Sequence, residues 1–121
     1  MKEQLQLVID FHKKFNAPIG EKPEVIKDER SELRYRLMKE EVDEYYTWTK
    51  EKDLPNIAKE IADILYTVLG TIVEHWLQDK IEDIFREVHE SNMSKEYHEY
   101  KMVKGANYFK ADIEKFFKKG T

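Results

Sequence analysis

Glu40-Glu41-Val42-Asp43-Glu44 and, further on, Glu60-Ile61-Ala62-Asp63 are the two stretches that decide how this chain folds. Each sets carboxylates three residues apart inside a helical pattern, which puts them on one helix face about one turn, ~4.5 Å, apart. Winding residues 31–50 at ~100° per residue brings Leu37, Met38, Tyr45 and Trp48 within roughly 60° of Glu41. Glu41 therefore lies in the middle of an apolar stripe. Glu44 falls inside the same arc, Glu40 sits at its margin, and Asp43 points to the other side. A buried, unpaired carboxylate is strongly disfavoured, and two glutamates one turn apart repel by roughly 0.2–0.5 kcal/mol even in water. Folding alone gives no reason for such a pair, so the face requires a positive partner or a protonated acid.

On the next helix, Glu60 and Asp63 fall in a narrow polar stripe with Asn56, Lys59, Thr67, Gly70 and Glu74. Taken alone, that stripe could equally face water. Taken with the acids of the preceding helix, a shared cation site explains both sets, with Glu41, Glu44, Glu60 and Asp63 as the ligands. Four carboxylates with no thiol and no obvious imidazole make a hard oxygen site suited to Mg2+, with Mn2+ as a substitute. A di-iron bundle would carry Glu-x-x-His on two helices. The residues three before the four histidines are Ile9, Ile72, Arg86 and Lys95, so that pattern is absent; histidines in such places are more often surface or satisfied core than ligands.

The rest of the chain fits an all-α protein. At 121 residues it is long enough for one domain, expected to span 1–121. Charged residues make up 38% and there are only four glycines and three prolines, which favours amphipathic helices over sheet. A first helix is predicted over residues 3–15, with Leu5, Val8, Ile9, His12 and Phe15 near one face. Residues 18–28 read as a loop, long enough to be functional or to pack over a site. Ser31 is the expected N-cap of a second helix reaching about Lys50, and Asp53 that of a third, with Pro55 in its first turn. Asp79 and Glu82 resemble a capping box opening a fourth helix that fades near Asn92. Asp112 is expected to cap a short extra helix carrying Ile113, Phe116 and Phe117. No alternating run argues for a strand. Together these elements predict a four-helix bundle, and the broad apolar surface of the third helix predicts a central position or packing against a second subunit, as a homodimer or tetramer.

The formal net charge of −4 gives no reason to expect a nucleic-acid partner, although residues 115–119 are locally basic. Cysteine is absent, which excludes disulfides, thiolate metal sites and a cysteine nucleophile and suits a reducing cytoplasm. The opening residues are too polar for a signal peptide. The longest apolar stretch, Ile61 to Val73, contains Asp63 and falls short of the ~20 residues a membrane span needs, so no membrane association is expected.

Glu-Glu-x-x-Glu followed on the next helix by Glu-x-x-Asp resembles the motif of the all-α, MazG-like nucleotide pyrophosphohydrolases, a superfamily that includes phosphoribosyl-ATP pyrophosphohydrolase and the all-α dUTPases. Ala62-Asp63-Ile64-Leu65-Tyr66 with Gly70, and Glu87-Val88-His89-Glu90-Ser91-Asn92-Met93-Ser94-Lys95, resemble the family's third helix and the segment closing its fourth. Weaker likeness extends to Phe11-His12 and to Lys104 through Phe109, although some relatives carry proline where Ala106 and Ala111 stand here. The resemblance implies hydrolysis of a nucleoside triphosphate between its α and β phosphates, yielding a monophosphate and pyrophosphate in (deoxy)nucleotide housecleaning.

The residues suit that chemistry. Phosphoryl transfer to water needs charge neutralisation and a positioned water. Glu40, beside the four proposed ligands, is the candidate to orient or deprotonate that water; its alternative is a partly exposed helix acid. Asn92 and Lys95, one turn apart, are candidates for base or sugar and for phosphate, with Lys104 a weaker phosphate candidate. Trp48 or Tyr108 could stack on a base, or simply pack. Alternatives are a phosphoribosyl-ATP pyrophosphohydrolase of histidine synthesis and a catalytically silent helical binding module.

Overall fold

A computed structural model describes residues 1–118. The chain divides into two compact units, Met1–Gln78 and Asp79–Thr121. Residue 119, the last of the basic tail, lies outside the described residues. All four predicted helices are present, and the fold is all-α apart from one small hairpin. Among the described residues no helix is long and apolar enough to cross a membrane.

The first unit holds α1 (Lys2–Lys14), α2 (Asp28–Glu51) and α3 (Leu54–Glu74). The apolar spacing of α1 delivers Leu5 and Val8 to the core, where they meet Leu69, Ile72 and Val73 of α3. Phe15, expected on the same face, is exposed because the helix has ended before it. α3 packs against both α1 and α2, which is the central position its broad apolar surface predicts. No apolar residue of α2 is fully buried; its one buried side chain is Arg34.

Local chemistry sets the joint between α2 and α3. Lys52 adopts the left-handed conformation, φ 54°, and ends α2 with its N–H on the Thr49 carbonyl. Asp53 then caps α3: its Oδ1 accepts the Asn56 N–H at 3.2 Å, with Pro55 in the first turn, where its missing N–H is harmless. Two residues thus reverse the chain and make α2 and α3 antiparallel neighbours.

The entry to α2 differs from expectation. The helix starts at Asp28 with Lys27 as N-cap and no side-chain cap, while Ser31 is inside the first turn and donates to the Asp28 carbonyl. Asp28 and Glu29 favour this start by placing negative charge at the positive helix end. The preceding loop does not cover the acidic residues. It folds onto the C-terminal end of α3, where Gly20 N–H donates to Val73 O and Glu24 N–H to His75 O. His75 Nδ1 donates back to the Glu24 carbonyl at 2.8 Å. A Cβ on Gly20 would stand 2.7 Å from Glu74 O and 2.9 Å from Trp76 Cβ, so only glycine admits this approach.

In the second unit, α4 (Ile81–Met93) begins later than Asp79, with Lys80 already near helical geometry as N-cap and no side-chain cap. After it comes an antiparallel hairpin, β1 (Glu96–His98) with β2 (Lys101–Val103), pairing Tyr97 with Met102. Its turn residues Glu99 and Tyr100 both have positive φ, the geometry of a tight two-residue hairpin. The expected C-terminal helix is a single 3-10 turn, Glu114–Phe116. It is held to α4 by the Glu87 carboxylate, which accepts from Asp112 N–H and Lys115 Nζ. Those bonds satisfy the segment without a longer helix.

The two caps give a stability test. Asp53→Ala should lower unfolding free energy by about 1 kcal/mol, whereas Ser31→Ala should stay within about 0.5 kcal/mol of the parent. Urea unfolding followed by circular dichroism distinguishes them, and equal losses would contradict the caps assigned here.

Candidate metal and phosphate site

α2 and α3 bring Glu41, Glu60 and Asp63 together, with one carboxylate oxygen from each within 4.8 Å of the others. Glu60 is the most enclosed, its side chain 4% exposed; Glu41 and Asp63 are half-buried. The polar stripe of α3 therefore does not face water at this point but lies against α2. Glu44, one turn beyond Glu41, is exposed, yet its carboxyl is raised above the ordinary range, first through a hydrogen bond with Glu60 and then through repulsion from it.

The electrostatics are those of crowded acids. Glu41 is pushed up to about 7, chiefly by a hydrogen bond with Glu60, then by burial and by the charges of Glu44, Glu60 and Asp63. That hydrogen bond exists only while one of the two acids holds a proton. With both ionised, Glu41 Oε2 and Glu60 Oε2 are buried oxygens with no hydrogen-bond partner. Lys59 supplies the nearest positive charge, its Nζ 2.8 Å from Asp63 Oδ2 and 3.9 Å from Glu60 Oε1. One exposed ammonium offsets part of this charge and leaves both orphaned oxygens unmatched. A hard divalent cation held by Glu41, Glu60 and Asp63 would satisfy them, and Glu44 stands close enough to Glu60 to contribute.

The remaining candidates are spread along the chain. Glu40 is exposed on α2 next to Glu41 and is not part of the three-carboxylate group. Trp48 is half-buried in the last turns of α2. Asn92, Lys95, Lys104 and Tyr108 belong to the second unit. There Asn92 is exposed in the last turn of α4, and its carbonyl accepts the Lys95 N–H. Lys104 Nζ lies 5.2 Å over the Tyr108 ring.

Two groups of residues escaped the sequence. Lys59 had a usable signal, the i,i+4 spacing to Asp63. The other is a buried polar network further along the same two helices: Glu74, assigned from the sequence to the polar stripe of α3, is 3% exposed and takes both oxygens into a fork from Arg30, at 3.0 and 2.9 Å. Arg34 Nη1 lies 3.3 Å from the same carboxylate. Burial pushes the Arg34 guanidinium down, whereas Arg30 is raised by its hydrogen bond to Glu74. His12 is buried beside them, and its Nδ1 donates to the Pro18 carbonyl at 2.8 Å.

Because Glu41 holds its proton more tightly in the folded protein, its contribution to stability is fully present below about pH 4.5 and is lost as pH rises to about 7. The metal-free protein should lose melting temperature between about pH 5 and pH 7.5, and Glu41→Gln should flatten that decline. Parallel melting curves for parent and variant across this window would contradict the crowding of Glu41 by its neighbours.

No curated protein matches the chain at a significant level. The family model for phosphoribosyl-ATP pyrophosphohydrolase matches residues 8–92, well over half of the chain and the whole of α2 and α3. With two facing helices carrying the acids of that superfamily's motif, the chain belongs to the phosphoribosyl-ATP pyrophosphohydrolase family, within the MazG-like all-α nucleotide pyrophosphohydrolases.

Proposed function

We propose that the protein is a Mg2+-dependent nucleoside triphosphate pyrophosphohydrolase, cleaving between the α and β phosphates to give a nucleoside monophosphate and pyrophosphate. The observation that carries this is the pair of buried, unpartnered oxygens on Glu41 and Glu60 beside Asp63. Such a group is destabilising in an empty protein and suited to a hard cation and its polyphosphate. When bound, Mg2+ neutralises phosphate oxygens and lowers the pKa of water.

The chain's own residues supply the rest. Glu41, Glu60 and Asp63, with Glu44 at the edge, would hold the cation whose positive charge fixes the polyphosphate in place. Glu40, exposed beside them, accepts the proton of the attacking water as its oxygen bonds to phosphorus and the bridging P–O bond breaks. Lys59 is positioned to turn from Asp63 to a phosphate oxygen once the acids are matched. Trp48, Asn92, Lys95, Lys104 and Tyr108 are the proposed contacts to base, sugar and outer phosphates. Housecleaning of the (deoxy)nucleotide pool in the cytoplasm is the proposed role, in keeping with a cysteine-free chain.

The family match favours a second substrate by name, phosphoribosyl-ATP. The same anhydride chemistry applies to it. A panel of ribo- and deoxyribonucleoside triphosphates together with phosphoribosyl-ATP, assayed for pyrophosphate with Mg2+, decides between them. Release from one or more triphosphates supports the proposal, release from phosphoribosyl-ATP alone selects the second substrate, and release from none contradicts both. Glu41→Gln and Asp63→Asn should each lower turnover at least about 100-fold with helical content retained.

We also propose that the enzyme works as a homodimer or a higher homo-oligomer. Leu7 and Phe11 of α1 and Ile61, Leu65, Tyr66 and Val68 of α3 are exposed, and a groove of about 410 Å³ lies between these two helices. So much apolar surface on two adjacent helices suits burial against another copy. Leu65→Glu should then halve the mass seen by light scattering, and an unchanged mass would count against this face.

A further inference from the structure

α2 carries Glu41 and Glu44, so its register against α3 decides whether the carboxylates meet. Yet α2 gives the core no fully buried apolar residue; only Arg34 of its side chains is buried. Arg34 lies across α3 and spends its guanidinium there. Nη2 donates to the Thr67 carbonyl at 2.8 Å and Nε to Thr71 Oγ1 at 3.1 Å, while Nη1 faces Glu74. Thr71 Oγ1 itself donates to the same Thr67 carbonyl, so hydroxyl and carbonyl are held in fixed positions.

Gly70 makes the approach possible. A Cβ there would lie 2.4 Å from Arg34 Nη2 and 3.2 Å from its Cζ, with His12 Nε2 closing the other side at 3.2 Å. Any side chain at this position would displace the guanidinium. Apolar helix surfaces tolerate small slides, whereas a planar fork with three acceptors in fixed directions does not.

The spacing connects this contact to the acids. Arg34 precedes Glu41 by seven residues, and Thr67 follows Glu60 by the same seven. In antiparallel helices that is two turns on each, ~10.5 Å, measured in the same direction from the contact. A slip at Arg34 would therefore carry Glu41 away from Glu60 by the same step.

We propose that Arg34, seated in the notch left by Gly70, is a positioning residue that fixes the register of α2 on α3 and so sets Glu41 opposite Glu60 and Asp63. Its metal readout rests on the cation-site proposal above; its distance readout does not.

The test uses the full chain. Arg34→Met keeps an unbranched side chain of similar length, leaves Glu74 paired with Arg30, and suits a buried position. Mn2+ binding is titrated by electron paramagnetic resonance at a temperature where circular dichroism shows each variant fully helical. Arg34→Met and Gly70→Ala are expected to bind at least tenfold more weakly than the parent, and Arg34→Lys, with one ammonium in place of the fork, to fall between. In parallel, spin labels at Asp43→Cys on α2 and Ala58→Cys on α3, in a chain with no other cysteine, report the helix–helix distance with labelled chains diluted into unlabelled ones. A shifted or broadened distance in Arg34→Met and Gly70→Ala is expected. Variants that bind Mn2+ within twofold of the parent and keep its distance distribution, whatever their melting temperature, would overturn the proposal. Should the parent bind no Mn2+, the cation site fails and the distance alone decides: a shift upholds the positioning role and no shift overturns it.

Discussion

Carboxylates repel one another, and holding Glu41, Glu60 and Asp63 within 4.8 Å is the constraint that the rest of the first unit serves. Once ionised, the acids have nothing of their own to draw them together. What does so is the pairing of α2 with α3, set at one end by the two-residue joint that Asp53 caps and further along by Arg34 lying against Gly70. Between these two points the helices cannot slide, and the acids are held in opposition at a cost to the empty protein. On the function proposed above, such a site is pre-organised: the negative charge is collected during folding, before a cation or polyphosphate arrives.

α3 makes this possible by having two different sides. Its apolar side, with Leu69, Ile72 and Val73, packs on Leu5 and Val8 of α1 and supplies the hydrophobic stabilisation of the unit. Its polar side is occupied by α2. There the polar groups run in sequence from Glu60 and Asp63 through Thr67 and Thr71 to Glu74, negative at both ends. Arginines answer the acid at one end; at the other, among the described residues, Lys59 does so in part. That asymmetry is what separates a structural end from the candidate site. Glu74 is fully matched by protein, whereas Glu41 and Glu60 keep orphaned oxygens.

Much of this was legible in the sequence because it depends on neighbours along the helix. The placement of Glu41 on an apolar stripe follows from winding alone, and Asp53 before Leu54-Pro55 is a cap by local chemistry. The polar stripe of α3 was ambiguous for a physical reason. Periodicity separates polar from apolar faces but cannot say whether a polar face meets water or a polar partner, and Arg30 and Arg34 stand some forty residues away from Glu74. Gly70 gave no sign of its notch for the same reason. The hairpin was hidden because Glu99-Tyr100 lacks the glycine or asparagine that usually marks positive φ. Lys27 was missed as a cap since its side chain does no capping.

Most direct of all would be to locate the cation itself. Crystals of the protein soaked in Mn2+ at neutral pH, with diffraction recorded at the manganese absorption edge, should show an anomalous peak within ~2.5 Å of oxygens from Glu41, Glu60 and Asp63. A map with no peak between these residues, and with Glu41 and Asp63 turned toward separate surfaces, would contradict the account.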